Sequence, residues 1–456
     1  MPKLEIKLKQ HTPLIHFQHD QEGATLRASE VKPRLDKYII TQLGEGDYEK
    51  GKAKAKANGW LVGKGEHPAL DYKMRIEAPK DKIWDMKYDT GKKNNKTGKN
   101  IIWSMPLFFG NMKSESPKKM VYNEGEITME VFSLHSELCI HVEKYLDDFL
   151  FMTNFGTRQS KGFGSFSRKG VNYNNSNGKG GSYRIRIKAR GESGSWTDFY
   201  NLFQNIDLFY KTLRSGINQK PFYFKSMMYH YAKSKYRKEY WDKRAIRTHF
   251  ELFTDTERKE ELFKEDMPQK GELDKGENKD WSVDGEKGTT KEDAKLYREI
   301  LGLSTSQEWM KYGATITKSN PEIDRFKSPI LIKPVYDNQS KEYLVFIIPL
   351  PIEKSYSNAV MTINVEYKNK VPDRLDQKKK EELKNRMEKR EKRENSPMTL
   401  SIPSGFEVAD YLKYVFEGDG KDIVLAQINK MPDDSDKSGN KKETIKEKLK
   451  KIYNIL

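Results

Sequence analysis

One cysteine, Cys139, is all that this 456-residue chain contains. That excludes a disulfide framework and a cysteine-ligated zinc site. Long apolar stretches are missing too. The longest, Tyr343 to Ile352, is ten residues with two prolines, too short to cross a bilayer. The opening residues MPKLEIKLKQ are charged at once and hold no apolar signal core, so neither export nor a membrane partner is expected and the cytoplasm is the expected location. Acid is in deficit: 67 Asp and Glu stand against 84 Lys and Arg, a net charge of +17. Apolar residues make up only 35%, yet 11% of the chain is aromatic, which is enough for packed cores. A cationic excess of this size points to a polyanion, a nucleic acid first. The plainer alternative is charge that only solubilises.

Local patterns divide the chain. Leu4, Ile6 and Leu8 alternate with Lys3, Glu5, Lys7 and Lys9, the period of a half-buried strand. A helix fits Ser29 to Ile40, with Val31, Leu35 and Ile39 on one face and Pro33 near its first turn. Residues 41–60 read as a Gly- and Lys-rich loop, and 89–100 (DTGKKNNKTGKN) as a mobile basic loop. Glu126 to Phe132 alternates again, and a helix follows from Ser136 to Met152. In 182–190, Tyr183, Ile185, Ile187 and Ala189 alternate with Arg184, Arg186, Lys188 and Arg190, a strand with four cations on one face. Ser195 then caps a helix whose stripe is Trp196, Phe199, Phe203, Ile206, Tyr210 and Leu213. Further elements are expected at Leu296–Leu301 (helix), Ser328–Tyr336, Glu342–Leu350 and Val360–Tyr367 (strands) and Ala409–Phe416 (helix). No tandem repeat is visible.

The most specific stretch is Asn154 to Phe166, NFGTRQSKGFGSF. Its glycines permit positive φ and close backbone approach to a phosphate. Arg158, Lys161 and Arg168 add cations, and Phe163 offers a ring to a base. No Gly-Lys-Ser/Thr follows at Walker spacing, and the order is helix, loop, strand, so neither a P-loop nor a dinucleotide site fits. A glycine-rich connection with incidental charge is the structural alternative. Residues 228–247 hold seven basic and two acidic side chains among tyrosines. As a helix they would turn Tyr229, Ala232, Tyr236 and Tyr240 inward and set Lys233, Arg237 and Arg244 along a flank. That mixture suits single-stranded RNA, although such a stripe also suits a core. Residues 378–394, with nine basic and five acidic side chains, read as an exposed helix.

The loop resembles the glycine-rich signature of the RAMP superfamily of CRISPR proteins, in the form found in the first subunit of the Cmr module (type III-B). Two more stretches extend the resemblance in the same order. Thr12-Pro13-Leu14 with Gly23 to Lys32 is similar to the opening strand and basic helix, although Glu30-Val31-Lys32-Pro33 stands where a Ser-x-Lys-Gly pattern is commoner. Leu301-Gly302-Leu303 and Arg325-Phe326-Lys327-Ser328-Pro329 are similar to motifs of the second half. The resemblance spans roughly residues 12–335 and leaves 254–293 and the tail past 368 uncovered.

It implies an α+β fold of two ferredoxin-like halves with charged insertions. The expected division is a first ferredoxin-like domain at 1–192, a helical segment at 193–253, a flexible charged insertion at 254–293, and a second RAMP-like half at 294–456. The implied function is non-catalytic: an RNA-binding subunit of an antiviral ribonucleoprotein. Its partners would be guide RNA, target single-stranded RNA and the other effector subunits, with no cofactor and no metal. Arg27, Lys32 and Arg34, with Arg158, Lys161 and Arg168, would contact phosphates, and Gly156, Gly162 and Gly164 would let the backbone approach. Arg325 and Lys327 would be the second half's counterpart. The alternation itself adds the face of Arg184, Arg186, Lys188 and Arg190, which would suit a phosphate track or be only a solvated outer face. The rival is a metal-free endoribonuclease processing guide RNA, with His16 or His135 as acid or base. His16-x-x-His19 offers two ligands at most, so zinc is not expected.

Overall fold

The computed structural model describes residues 3–15, 25–63, 68–79, 82–94, 98–107, 119–174, 176, 178–219, 222–235, 242–250, 252, 294–309, 312–367, 377, 381, 397–433 and 443–453. The alternating N-terminal residues form β1 (Lys3–Gln10), which buries Ile6 and Leu8. Then comes α1 (Ala28–Leu43), with Val31, Leu35 and Ile39 inward. The stretch 41–60 is not a loop: it holds α2 (Tyr48–Ala57), whose N-cap Asp47 accepts from the Lys50 N–H at 3.0 Å. Gly51 is what lets α2 lie on α1, because a Cβ there would meet the Ile40 carbonyl. The two-residue strands β2 (Leu61–Val62) and β3 (Ala69–Leu70) lead to β4 (Tyr72–Glu77).

A strand-rich excursion follows. β5 (Lys82–Asp85) pairs with β8 (Lys119–Tyr122), and between them β6 (Lys87–Lys93) and β7 (Asn100–Ser104) make a ribbon. The sequence pattern placed a mobile loop at 89–100. A ribbon exposed on most of both edges has no buried face to impose alternation, so its pattern is silent. The chain returns through β9 (Ile127–Ser133), α3 (Ser136–Phe151) and β10 (Phe166–Arg168). The strands lie in the order β10-β1-β9-β4, every neighbouring pair antiparallel. With α1 after the first strand and α3 before the last, this is the split-βαβ ferredoxin-like arrangement.

The second sheet takes a strand from before residue 192. β11 (Tyr183–Lys188), assigned by its position to the 1–192 domain, pairs with β17 (Glu342–Pro349), and β17 pairs with β16 (Ile330–Asp337). Between β11 and β16 runs α4 (Trp196–Arg214), with the expected apolar stripe buried and Ser195 accepting from the Asp198 N–H. Strand, helix and hairpin in the order β11-β17-β16 repeat the first three strands of the other half. No fourth strand joins this sheet among the described residues.

The remaining elements cover α4. They are the hairpin β12 (Ile217–Gln219) and β13 (Phe222–Phe224), then α5 (Met227–Lys235), α6 (Asp242–His249) and α7 (Tyr297–Ile300). A sheet in the order β14-β15-β18-β19 follows, built from Ser306–Trp309, Ala314–Ser319, Val360–Tyr367 and Met398–Ser401. The tail adds α8 (Val408–Phe416), α9 (Asp419–Lys430) and α10 (Ile445–Tyr453). In α5 the inward residues are Met227, Met228, Tyr231 and Ala232, one step off the expected tyrosine stripe. Tyr236, Tyr240 and Arg237 lie outside the described residues, as do the insertion 254–293 and, apart from residue 381, the charged run 378–394.

Two large hydrophobic cores and one small one result, and the glycine-rich loop enters both large ones. Phe155 packs against Phe149 and Phe166 in the first. Phe163 stacks on Phe203 of α4 in the second, with ring centroids 3.8 Å apart and planes at 8°. Phe163 is fully buried, so it is a core anchor and not the base-stacking ring expected of it. Phe163→Ala should therefore lower the unfolding free energy by about 3–5 kcal/mol, measured by urea denaturation. A loss below about 1 kcal/mol would contradict the anchoring role.

Candidate nucleic-acid interface

The loop leaves α3, turns under α1 and lies along β16. Gly156, Gly162 and Gly164 have φ of +75°, +94° and +66°. Their missing side chains make room for protein. A Cβ at Gly156 would strike the Ile15 carbonyl, at Gly162 the Pro334 ring, and at Gly164 the Phe155 carbonyl. The Gly156 N–H donates to Glu30 Oε1 at 2.7 Å and the Gly164 N–H to the Pro13 carbonyl at 2.9 Å. Thr12 Oγ1 donates to the Gly162 carbonyl at 2.7 Å. At all three glycines the space a Cβ would take is filled by the chain's own backbone or by Pro334.

Between loop and β16 runs a polar seam. Asn154 Nδ2 donates to the Ile332 carbonyl (2.8 Å), and Ser165 Oγ to the Pro334 carbonyl (2.6 Å). Lys333, fully buried, donates to the carbonyls of Thr153 (2.9 Å) and Phe166 (2.8 Å). His11 Nδ1 accepts from the Tyr336 N–H at 3.1 Å, and its Nε2 lies 2.7 Å from Ser167 Oγ. Burial first, then Lys9 and Lys333, push the His11 pKa well below its usual 6.5. Burial first, then Arg34, lowers Lys333 well below 10.5.

Cations crowd the outer end of this seam, and they come from both halves. Arg34 of α1 reaches the loop, donating to the Asn154 carbonyl (2.9 Å) and Gln159 Oε1 (3.0 Å), with its guanidinium over the Phe155 ring. Arg158 sits in the left-handed region, φ 58°. Its pKa is lowered by burial and then by the charge of Arg325. Lys327 is lowered by desolvation and then by Arg34. Arg325 and Lys327 are exposed, and neither forms an ion pair with a described residue. The first motif and the R-F-K-S-P motif thus meet in space. Lys161 lies behind them, its amine over the Tyr210 ring 2.9 Å from the centroid. Burial first, then Arg214 and Arg158, hold its pKa well below 10.5. It is a cation under the surface rather than on it.

The other expected contacts lie elsewhere and are occupied. Lys32 Nζ pairs with Asp36 at 2.7 Å and donates to the Leu70 carbonyl, over the Tyr72 ring. Arg168 pairs with Glu143 at 3.3 Å. Arg184 donates to the Asn174 carbonyl at 2.5 Å, and Arg186 lies 3.5 Å from Glu342. Their face of β11 borders a small core of Phe151, Tyr173 and Phe346, so it is half-covered. Arg27 stands at the N-cap of α1. His16 lies outside the described residues. His135 faces Asp71 at 3.4 Å, and Cys139 is buried. Among the described residues no group of three or more His, Cys, Asp or Glu could hold a metal ion, and no helix is long and apolar enough to cross a membrane.

Sequence reasoning missed one further charged cluster. Glu299 and Lys318, both fully buried, pair at 2.5 Å, and Arg214 adds a bond to Glu299 at 3.2 Å. Arg298 pairs with buried Asp242 at 2.6 Å. Against burial, which raises it, Lys318 and Arg214 hold the Glu299 pKa at about 2. Arg214 also donates to the Gly302 carbonyl at 2.8 Å, and the Tyr210 hydroxyl to the Leu301 carbonyl. The Leu301-Gly302-Leu303 motif is thereby fixed to α4 beside Lys161. No spacing in the sequence announces a cluster gathered from α4, α6, α7 and β15.

Two ferredoxin-like halves joined through a glycine-rich loop that follows the second helix define a RAMP-type protein. Residues 1–217 match the family model of the Cmr1 N-terminal domain, and residues 223–451 that of the Cmr1 C-terminal domain. The chain therefore belongs to the Cmr1 family, the RAMP subunits of type III-B CRISPR effectors. Among solved structures it is similar to apo Cmr1 from Pyrococcus furiosus, with 7% identity over 89% of this chain and all of that one, at a TM-score of 0.29. It is also similar to a chain of the Type III-B Cmr-beta complex bound to cognate target RNA. There the identity is 12% over 37% of this chain and 59% of that one, at a TM-score of 0.24. No curated protein matches it by sequence.

The seam carries its own pH dependence. Folded His11 stays neutral where an unfolded histidine takes up a proton, so its share of stability is present above pH 6.5 and is lost as pH falls below it. The loss from this one group is at most about 1.4 kcal/mol per pH unit. His11→Gln, which keeps an acceptor for the Tyr336 N–H, should flatten the difference between urea denaturation curves at pH 7 and pH 5.5. An unchanged difference would remove His11 as its source.

Proposed function

We propose that this chain is a non-catalytic RNA-binding subunit of the cytoplasmic Cmr effector, holding guide or target RNA by its backbone at the seam. The observation that carries this reading is that the loop and the R-F-K-S-P motif both close on Tyr210, Lys161 over its ring and Ser328 Oγ 3.3 Å from its hydroxyl, with Arg325 and Lys327 exposed beside them. Arg34 has Glu30 at 3.9 Å, but Arg325 and Lys327 form no ion pair with a described residue, and phosphates laid across this end of the seam would answer them. Contacts to phosphates carry no sequence information, which suits a subunit in an assembly where base pairing between guide and target selects the sequence. The Cmr-beta relative is described as bound to cognate target RNA, which agrees with this partner class. The other Cmr subunits are the expected protein partners.

Affinity for single-stranded RNA should fall steeply with salt, by a slope of about 0.7 per neutralised phosphate. Arg325→Ala with Lys327→Ala should weaken binding and lower that slope by roughly 1.4, read by fluorescence anisotropy across a salt series. A flat salt response, or a double variant that binds as the parent does, would rule out the seam site.

The non-catalytic part of the reading has its own test. Repeat RNA incubated with the protein in chelator should stay intact. Specific cutting that disappears in His135→Ala would replace this reading with the metal-free endoribonuclease.

A further inference from the structure

The β6–β7 ribbon carries a surface that the seam does not use. Tyr88 of β6 and Trp103 of β7 face each other in register and meet two rings of α4. Tyr88 stacks on Trp196 (centroids 4.9 Å, planes at 25°), Trp196 on Tyr200 (5.2 Å, 16°), and Tyr200 on Trp103 (5.0 Å, 12°). Three near-parallel contacts thus link the four rings into one aromatic column bridging ribbon and helix, with Tyr88 and Trp103 on its ribbon side. Its end rings remain open to solvent, Tyr88 at 43% and Trp103 at 36% exposure. Rings at the ends of a stack present π-faces of the kind on which unpaired bases stack.

The charge around the column selects the occupant. Lys87, Lys92, Lys93 and Lys99 stand exposed on the ribbon, and none pairs with an acid among the described residues. Asp89, the ribbon's own acid, accepts from the Gly91 N–H (2.9 Å) and Asn100 Nδ2 (2.7 Å), which leaves one acid against four lysines. A neighbouring protein would need acids to answer four lysines and an apolar face to cover the rings. A single-stranded nucleic acid supplies both complements in each nucleotide.

The column is also aligned with the seam. Trp196, Tyr200, Phe203 and Tyr210 recur at spacings of four, three and seven, along one face of α4. The glycine-rich loop meets that face at Phe203 and Tyr210, through Phe163 and Lys161. At about 1.5 Å per residue, Tyr200 and Tyr210 are roughly 15 Å apart along the axis, so one helix holds both the ribbon and the loop.

We propose that the β6–β7 ribbon is a second RNA contact, on which unpaired bases stack against Trp103 and Tyr88 while the ribbon lysines neutralise phosphates. The proposal rests on the RNA-binding reading of the seam and extends it from backbone to bases.

The test uses the full chain and two labelled probes, a mixed-sequence single-stranded oligoribonucleotide and an abasic oligomer with the same backbone. Trp103→Leu should weaken binding of the first by roughly 5- to 100-fold and of the abasic probe by less than about twofold. Trp103→Phe, which keeps a ring, should restore most of the loss. Because Trp103→Leu could also release the ribbon from α4, a second variant leaves the rings in place. Lys92→Gln with Lys93→Gln and Lys99→Gln should weaken both probes and flatten the salt slope. Unchanged affinity in both ribbon variants, beside a loss in Arg325→Ala with Lys327→Ala, overturns the proposal and leaves the seam standing. Loss in the ribbon variants alone overturns the seam instead. Ribbon variants that keep RNA affinity but no longer co-purify with co-expressed Cmr subunits would make the ribbon a protein-docking face and overturn the proposal.

Discussion

Two phenylalanines eight residues apart, Phe155 and Phe163, sit in different cores. The loop that separates them is thus held at both ends by burial, each ring contributing about 2–3 kcal/mol of apolar transfer. Everything at the seam follows from that double insertion. Between two fixed rings the backbone has to turn sharply, and it does so through positive φ at Gly156, Arg158 and Gly162. With the loop pinned, Asn154 and Ser165 meet β16 in fixed register, and Arg158 is held half-buried within reach of the Arg325 charge. A loop anchored at one end would leave these cations independent of one another.

The seam is unusual in what it buries. A lysine with only carbonyl partners and a neutral histidine lie inside it. A buried charge costs several kcal/mol unless it is fully satisfied, so such groups contribute specificity more readily than stability. Lys333 accepts only the arrangement that brings Thr153 and Phe166 to its amine, and His11 only the one that brings Tyr336. The halves therefore dock in one register, which an apolar interface of the same size would define less sharply.

Much of the fold was legible where one face of an element is buried. Alternation located β1, β9 and β11, and the stripe from Trp196 to Leu213 located α4. Those patterns record contact with a core. Where that contact is missing the pattern is silent, which is why the β6–β7 ribbon reads as loop. The lysine-rich α2 was also read as loop, its short inward face being only Gly51 and Ala55. The site was half legible. The motifs at 154–166 and 325–329 could be found by composition and resemblance, but not their meeting, which depends on a sheet partner more than 150 residues away. Charge in a sequence does not reveal its partner either. Lys32 and Arg168 carry the expected chemistry, yet both are neutralised by acids of their own domain.

That distant partner bears on how the protein is made. β11 emerges from the ribosome with its Lys188 destined for Glu342. At about 5–20 residues per second it waits roughly 8–30 s for β17, its apolar side and the stripe of α4 both uncovered. The first half can close its own sheet during this interval, because all four of its strands are already out. The second half cannot, and such long-range pairing folds slowly. During synthesis the chain is thus a finished domain trailing an adhesive strand and helix, the interval in which a chaperone has most to shield.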